Sequence, residues 1–289
     1  MSKILEVKNL THTYVGDSPV KKDAVHDVSF SVEQGEIIGI IGHTGSGKST
    51  LVQHLNGLLK PTDGTILFEE KDIWEKPKKI REIRSKVGLV FQYPEYQLFE
   101  ETVYQDIAYG PKNMGLKDKE LKERVEEICE LLDIGSDYFE KSPFDLSGGE
   151  KRRVAIAGVM AMRPQLIIFD EPIAGLDPKG RFDVIKMIED YRKTYNATVI
   201  IISHNMEDMA VLADKLLVMN NGNLAMFGKT DEVFSKADEL QEMGLNVPIV
   251  TRVVKKLKEK GLDIPENIFT VTSAVDCLNG LRKGGGNND

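Results

Sequence analysis

Cysteine is scarce in this sequence. Cys129 and Cys277 are the only two in 289 residues, and no Cys-x-x-Cys spacing occurs. That excludes a disulfide framework and a cysteine-built zinc site, and it suits a reducing compartment. Long apolar runs are missing as well. A membrane-spanning helix needs about 20 mostly apolar residues. The longest stretches free of Asp, Glu, Lys and Arg, 194–206 and 216–228, have 13 residues each. Lys3, Glu6 and Lys8 deny the first ten residues the apolar core of a signal peptide. Nor is there an excess of positive charge. Lys plus Arg number 38 against 46 Asp plus Glu, a net charge of −8, which disfavours grip on nucleic acid by phosphate neutralisation. What is present is ordinary globular composition, 41% hydrophobic and 29% charged, enough for one or two domains with their own cores. The expectation is a soluble cytosolic protein that reaches a membrane only through a partner.

The hydrophobic pattern changes along the chain. Residues 4–8 and 28–32 read as strands, the second alternating apolar and polar at period two. Residues 37–41 are a short apolar run, as expected of a strand buried on both faces. Further buried-strand runs are 87–91, 166–169, 198–202 and 216–219. Helical patterns lie between them, at 49–59 with Leu51, Leu55, Leu58 and Leu59, and around Val184, Ile185, Ile188 and Tyr191. Gly57 weakens the first of these. Alternating strands and helices predict a parallel sheet with helices on its faces. From about 102 to 139 the pattern is helical and highly charged, with Leu121, Val125, Ile128, Leu131 and Leu132 on one stripe, which predicts a helical insert. After about residue 228 the character changes again. Pro248 opens a predicted helix carrying Ile249, Val250, Val253, Val254 and Leu257, and Gly261 closes it. Ser273 to Asp276 has capping-box spacing before Leu278 and Leu281, and the tail GGGNND is expected to be disordered. The basic stretch 76–86 reads as a solvated face. No internal repeat is present.

One segment carries chemistry outright. Residues 42–49, Gly42-His43-Thr44-Gly45-Ser46-Gly47-Lys48-Ser49, fit G-x-x-x-x-G-K-[ST] between a buried strand run and a helix, where that motif works. Gly45 and Gly47 let the backbone wrap phosphate oxygens, and the helix N-terminus adds partial positive charge. In this mechanism Lys48 reaches the β- and γ-phosphates and the Ser49 hydroxyl binds Mg²⁺. Downstream, the apolar run 166–169 delivers Asp170 and Glu171 to its C-terminal end. There Asp170 can hold Mg²⁺ through water, and Glu171 can orient and activate an attacking water.

Between these motifs stands Leu146-Ser147-Gly148-Gly149-Glu150-Lys151-Arg152, which resembles the signature of the ABC-transporter ATPases. Other elements follow the family's order. Tyr14 lies where an aromatic residue stacks on adenine. Gln92 resembles the Q-loop glutamine, 174–177 with Asp177 the D-loop, and His204 the switch histidine. The likeness spans roughly residues 4–230. Within the family, the loop sequence running from Gly42 through His43 and Thr44 to Ser49 and Thr50, and the stretch 91–103, are similar to the second ATPase subunit of energy-coupling factor transporters. Ile173 stands where a Thr is usual and Glu150 where many relatives have Gln; neither removes a catalytic group.

The resemblance implies an α/β P-loop core with a parallel sheet, N-terminal antiparallel strands, an inserted helical subdomain at about 93–162 and a C-terminal extension. It implies an ATPase domain over 1–228 and, over 229–289, an extension used in pairing. ATP and Mg²⁺ are the implied cofactors. Lys48, Gln92, Glu171 and His204 are implied to do the chemistry, with Ser49, Gln92 and Asp170 at the metal. ATP would lie between Tyr14, the phosphate loop and Thr50 of one chain and Ser147, Gly148, Gly149 and Asp177 of another. The implied partners are a second ATPase chain (a paralogue or a second copy), a transmembrane scaffold subunit and a membrane subunit that binds a vitamin or a metal ion such as cobalt, all at the cytoplasmic face of the cell membrane. Nucleic acid is not an implied partner. The alternative is a soluble ABC ATPase working without a transporter. A P-loop GTPase is disfavoured because no N-K-x-D guanine motif occurs.

Overall fold

A computed structural model describes residues 2–14, 22–262, 264–265 and 267–284. Its first sheet is antiparallel, from β1 (Lys3–Tyr14), β2 (Lys22–Glu33), β4 (Asp63–Phe68) and the short β5 (Lys71–Asp72), in the order β2-β1-β4-β5. The second contains β3 (Ile37–Ile41), β6 (Val87–Val90), β7 (Leu166–Asp170), β8 (Thr198–Ile202), β9 (Lys215–Asn220) and β10 (Asn223–Lys229), in the order β10-β9-β3-β8-β7-β6. Its inner strands pair in parallel, and only β10 runs antiparallel, against β9.

Period-two alternation along the central strands divides the core. Ile38, Ile40, Ile168, Ile200, Ile202 and Leu217 point to one face. There they pack with α1 (Lys48–Leu55) and the antiparallel sheet. Ile37, Ile41, Ile167, Phe169, Val199, Ile201 and Val218 point to the other. Strands buried on both faces read as continuous apolar runs, which is why the sequence pattern located them. α2 (Ile80–Lys86) precedes β6. Between β6 and β7 lie α3 (Val103–Asn113), α4 (Asp118–Leu131) and α5 (Gly148–Met160). Val103, Ile107, Val125, Ile128, Leu132 and Val154 join these helices to the second core, with Leu121 and Leu131 packed at its edge. α6 (Pro178–Tyr195) and α7 (Met206–Leu212) flank β8. After β10 come α8 (Thr230–Phe234), α9 (Ala237–Glu242), α10 (Ile249–Glu259) and α11 (Val271–Gly284). None of the described helices is long and apolar enough to cross a membrane.

Three expectations are corrected. The helix predicted over 49–59 ends at Leu55. Gly57 adopts φ 71°, and the Leu58 and Leu59 amides donate back to the Gln53 carbonyl at 2.9 and 3.1 Å, so the glycine stops the helix rather than weakening it. α11 is capped three residues before the predicted cap at Ser273: the Thr270 hydroxyl accepts from the Ser273 amide at 3.2 Å. The stripe on α10 is split. Val254 is buried against Ile264, Ile268 and Ala274, with Val250 and Leu257 beside it, while Ile249 and Val253 are 66% and 48% exposed. Of the tail GGGNND, all but Gly284 lies outside the described residues.

Candidate active site

The parallel order brings the C-terminal ends of β3, β7 and β8 together, and the polar side chains of the site issue from them. β3 runs into the phosphate loop. Gly42 and Gly47 have φ 156° and 102°; a Cβ on them would sit 2.4 Å from the Met219 carbonyl oxygen and 2.3 Å from that of Ala24. Gly47→Ala is therefore expected to cost about 1–3 kcal/mol of stability through backbone strain, with the clash added. A urea melt with an unshifted midpoint would contradict this packing.

Lys48 is 6% exposed, and its ammonium donates to the Gly42 and His43 carbonyls at 2.8 and 2.9 Å. Burial lowers its pKa, while the carboxylates of Glu171 and Asp170 raise it. The charge is thus held inside the loop by two carbonyls that a triphosphate can replace. His43 reaches the Thr44 carbonyl at 2.9 Å and Asn220 Oδ1 at 3.2 Å, and the Ser46 carbonyl accepts from the Gly222 amide at 3.0 Å. Through these bonds the β9–β10 turn braces the loop. Tyr14, Gly45, Gly47, Lys48, Ser49 and Thr50 line one cleft of about 520 Å³ together with Asn221 and Gly222. The Tyr14 and Thr50 hydroxyls lie 3.3 Å apart.

β7 ends in Asp170. Burial pushes its carboxyl above the usual range, and the Ser49 hydroxyl bonded to it pulls the other way. The next residue, Glu171, takes φ 53°, a left-handed conformation unusual for glutamate, and its amide donates to the Ile202 carbonyl at 3.0 Å. Its carboxylate is gripped on both sides: Gln92 Nε2 donates to Oε2 at 3.0 Å, and His204 Nε2 lies 2.7 Å from Oε1. Gln92 follows β6 and His204 follows β8, so three neighbouring strands place amide, carboxylate and imidazole in one cluster. A carboxylate so held can take a proton from a water beside it. Among the described residues no group of three His, Cys, Asp or Glu could hold a metal. Ser49 and Asp170 together fit an ion such as Mg²⁺, which keeps few protein ligands and takes the rest from phosphate and water.

Ser147, Gly148, Gly149 and Asp177 are not brought to this cleft. Gly149 and Gly180 line a separate cavity of about 380 Å³ between α5 and α6. Ser147 caps α5 in a capping box. Its hydroxyl donates to Glu150 Oε2 at 2.6 Å, and Tyr138 Oη donates to Oε1 at 2.7 Å. The Ser147 hydroxyl, Tyr138 and the Ser147 amide hold the Glu150 carboxyl down at about 2. Asp177 caps α6, accepting from the Gly180 amide at 2.8 Å.

Arg152, which ends the signature stretch and had no expected role of its own, is buried and donates to the Ala174 carbonyl at 3.1 Å, with Nε 3.8 Å from Glu95 Oε2. It ties α5 to the segment after Gln92 and to the segment after Glu171. A charged residue on the inward side of a helical pattern was the available signal.

Residues 25–174 match the ABC transporter family. The energy-coupling factor transporter ATP-binding protein EcfA2 of Clostridium tetani is 52% identical over 271 residues, covering 93% of this chain and 94% of that protein. EcfA2 of Clostridium perfringens is 50% identical over 275 residues, with 95% and 96% covered. The chain belongs to the energy-coupling factor ATPases of the ABC transporter family. It is an ATP-hydrolysing subunit of a transporter of that class. Among solved structures, cbiO1 of Clostridium perfringens, described as part of the ABC transporter complex cbiONQ, superposes with a TM-score of 0.74 at 36% identity, covering 88% of this chain and all of that one. The dimeric bacterial ABC transporter cassette MJ0796 superposes at 0.70 with 25% identity. This energy-coupling factor ATPase therefore shares the cassette fold from the antiparallel sheet through the parallel core.

Proposed function

We propose that the chain powers uptake of a vitamin or a transition-metal ion from the cytoplasmic face of the cell membrane, as one of two ATPase chains bound to membrane subunits. The observation that carries the reading is the Glu171 carboxylate held between Gln92 and His204 beside the phosphate loop. In this reading adenine stacks on Tyr14. Lys48 and the amides of Gly45 to Thr50 cradle the phosphates, and Ser49, Asp170 and Gln92 serve the Mg²⁺ that arrives with ATP. Glu171 takes the proton of the attacking water, and His204 holds the γ-phosphate and positions Glu171. Ser147, Gly148, Gly149 and Asp177 act on the nucleotide of the opposing chain. Their position on a separate surface, each capping or opening a helix, supports a site shared between two chains.

Two surfaces suit the partners. A groove of about 670 Å³ is lined by Phe99, Tyr109, Met114, Arg81, Arg84 and Asp106, with Tyr96 exposed nearby, and suits a short helix of a transmembrane scaffold. Ile249 and Val253 on α10, with Val271, Val275 and Leu278 on α11, are exposed apolar residues that suit a second ATPase chain. Residues 1–228 would then form the ATPase unit, with the helical subdomain at about 93–162, and 229–289 the pairing extension. Purification from detergent-solubilised membranes is expected to bring down a second ATPase chain and two membrane proteins in fixed proportion. Recovery of the chain alone from such membranes would favour a soluble ATPase instead.

A further inference from the structure

His12 and His54 form a polar bracket behind Tyr14. His12 and Tyr14 stand two residues apart on β1, their rings edge to face with centroids 4.6 Å apart and planes at 83°. His12 makes a second edge contact, also at 4.6 Å, with His54 in the last turn of α1. His54 Nε2 lies 3.1 Å from His12 Nδ1, and His54 Nδ1 lies 2.7 Å from the Thr50 carbonyl oxygen. Thr50, one turn earlier on α1, meets the Tyr14 hydroxyl through its own at 3.3 Å. Tyr14, His12, His54 and Thr50 thus close a ring that joins the strand carrying the aromatic residue to the helix that begins at Lys48 and Ser49.

The direction of the bonds follows from chemistry. A carbonyl can only accept, so His54 Nδ1 carries a proton. His54 is fully buried, and burial pushes its pKa down to about 4, against the carbonyls of Thr50 and Lys60. It is therefore neutral at pH 7, with Nε2 a bare acceptor. His12 must then donate from Nδ1. Without that donor His54 would keep a buried acceptor unpaired, which costs more than the bond contributes.

The geometry points to His12 as a positioning residue for nucleotide binding: locked by its hydrogen bond to His54, it holds the Tyr14 ring at a fixed distance from the phosphate loop, so that base and triphosphate are gripped in one geometry. This rests on the reading of Tyr14 as the adenine platform. A platform set in advance spares ATP the cost of ordering it.

The test is calorimetric titration of the full-length chain with Mg-ATP and with Mg-tripolyphosphate, which has no base. His12→Ala is expected to weaken ATP about three- to tenfold, the worth of one neutral hydrogen bond, and to leave tripolyphosphate unchanged. In steady-state hydrolysis KM should rise while kcat is kept. His12→Asn, which returns a donor near His54 Nε2, should recover part of the affinity. An equal loss for both ligands would overturn the proposal, because it would mean that the phosphate loop itself had been disturbed. Tyr14→Ala is the parallel arm and should weaken ATP by more, about 1–3 kcal/mol of stacking converted to roughly five- to 150-fold. If Tyr14→Ala weakens ATP and His12→Ala does not, the bracket is inert and the platform stands. If Tyr14→Ala changes nothing, the platform reading and the proposal fall together. An Asn variant no tighter than the Ala variant overturns the hydrogen-bonded lock.

Discussion

Glu171→Gln is expected to slow ATP hydrolysis by about 10²–10⁴-fold while ATP binding persists. The substitution keeps the shape of the side chain and its acceptor toward Gln92 Nε2, which now lies 3.0 Å from Oε2. It removes the one group in the cluster with a carboxylate's affinity for a proton. Lys48 and the phosphate loop are untouched, so the triphosphate is still gripped. Because the γ-phosphate is then lost only slowly, the variant should also accumulate as an ATP-bound dimer, visible as a shift in elution on a sizing column when Mg-ATP is present. Phosphate release under single-turnover conditions is the decisive measurement. Turnover close to that of the unsubstituted chain would remove Glu171 from the base role and leave it a spacer between Gln92 and His204. The left-handed backbone at Glu171, with φ 53°, gives a second reason to expect function there, since a strained non-glycine position persists only where its surroundings impose it.

How far the sequence spoke depended on the distance over which each contact acts. The parallel core was legible because β3, β7 and β8 are buried on both faces and leave unbroken apolar runs such as Ile37–Ile41. The phosphate loop was legible because its glycines, Lys48 and Ser49 are contiguous. Hairpins were less so. Asn221 and Gly222, at φ 48° and 81°, form the asparagine–glycine turn between β9 and β10, a signal present in the sequence and passed over. The β4–β5 turn carries Glu69 and Glu70 at φ 49° and 64°, and two glutamates announce no such turn. The end of α1 is masked in the sequence because Leu58 and Leu59 continue the helical spacing past Gly57, and only their amides' return to the Gln53 carbonyl shows that the helix has stopped. Hardest to read were contacts across the chain. His12 and His54 are 42 residues apart and each, alone, is a histidine in an amphipathic pattern. The Arg152 contact with the Ala174 carbonyl likewise has no trace in local spacing.

Mixing two disabled chains should restore activity that neither has alone. Lys48→Ala removes the ammonium that sits inside the phosphate loop, 2.8 Å from the Gly42 carbonyl. Ser147→Arg replaces the hydroxyl that caps α5 with a bulky cation, on the surface proposed to face the nucleotide of the opposing chain. Each is expected to abolish hydrolysis in a dimer of its own kind, because every composite site then lacks one half. In a mixed dimer one site takes both defects and the other takes none. Random pairing makes half of the dimers mixed and leaves each with one sound site of two, so roughly a quarter of the unsubstituted rate is expected. The measurement is phosphate release across a range of mixing ratios, at concentrations where sizing shows that dimers form, with a maximum near equal proportions. Dimers that form without any recovery would mean either that the halves are not shared or that both sites must be sound together. Pairing Lys48→Ala with the unsubstituted chain separates the two, since such a dimer always keeps one complete site. If that equal mixture keeps about half of the unsubstituted rate while the double mixture is dead, the sharing of Lys48 and Ser147 between chains is wrong. If it keeps only about the quarter that unsubstituted dimers supply, the two sites turn over only as a unit.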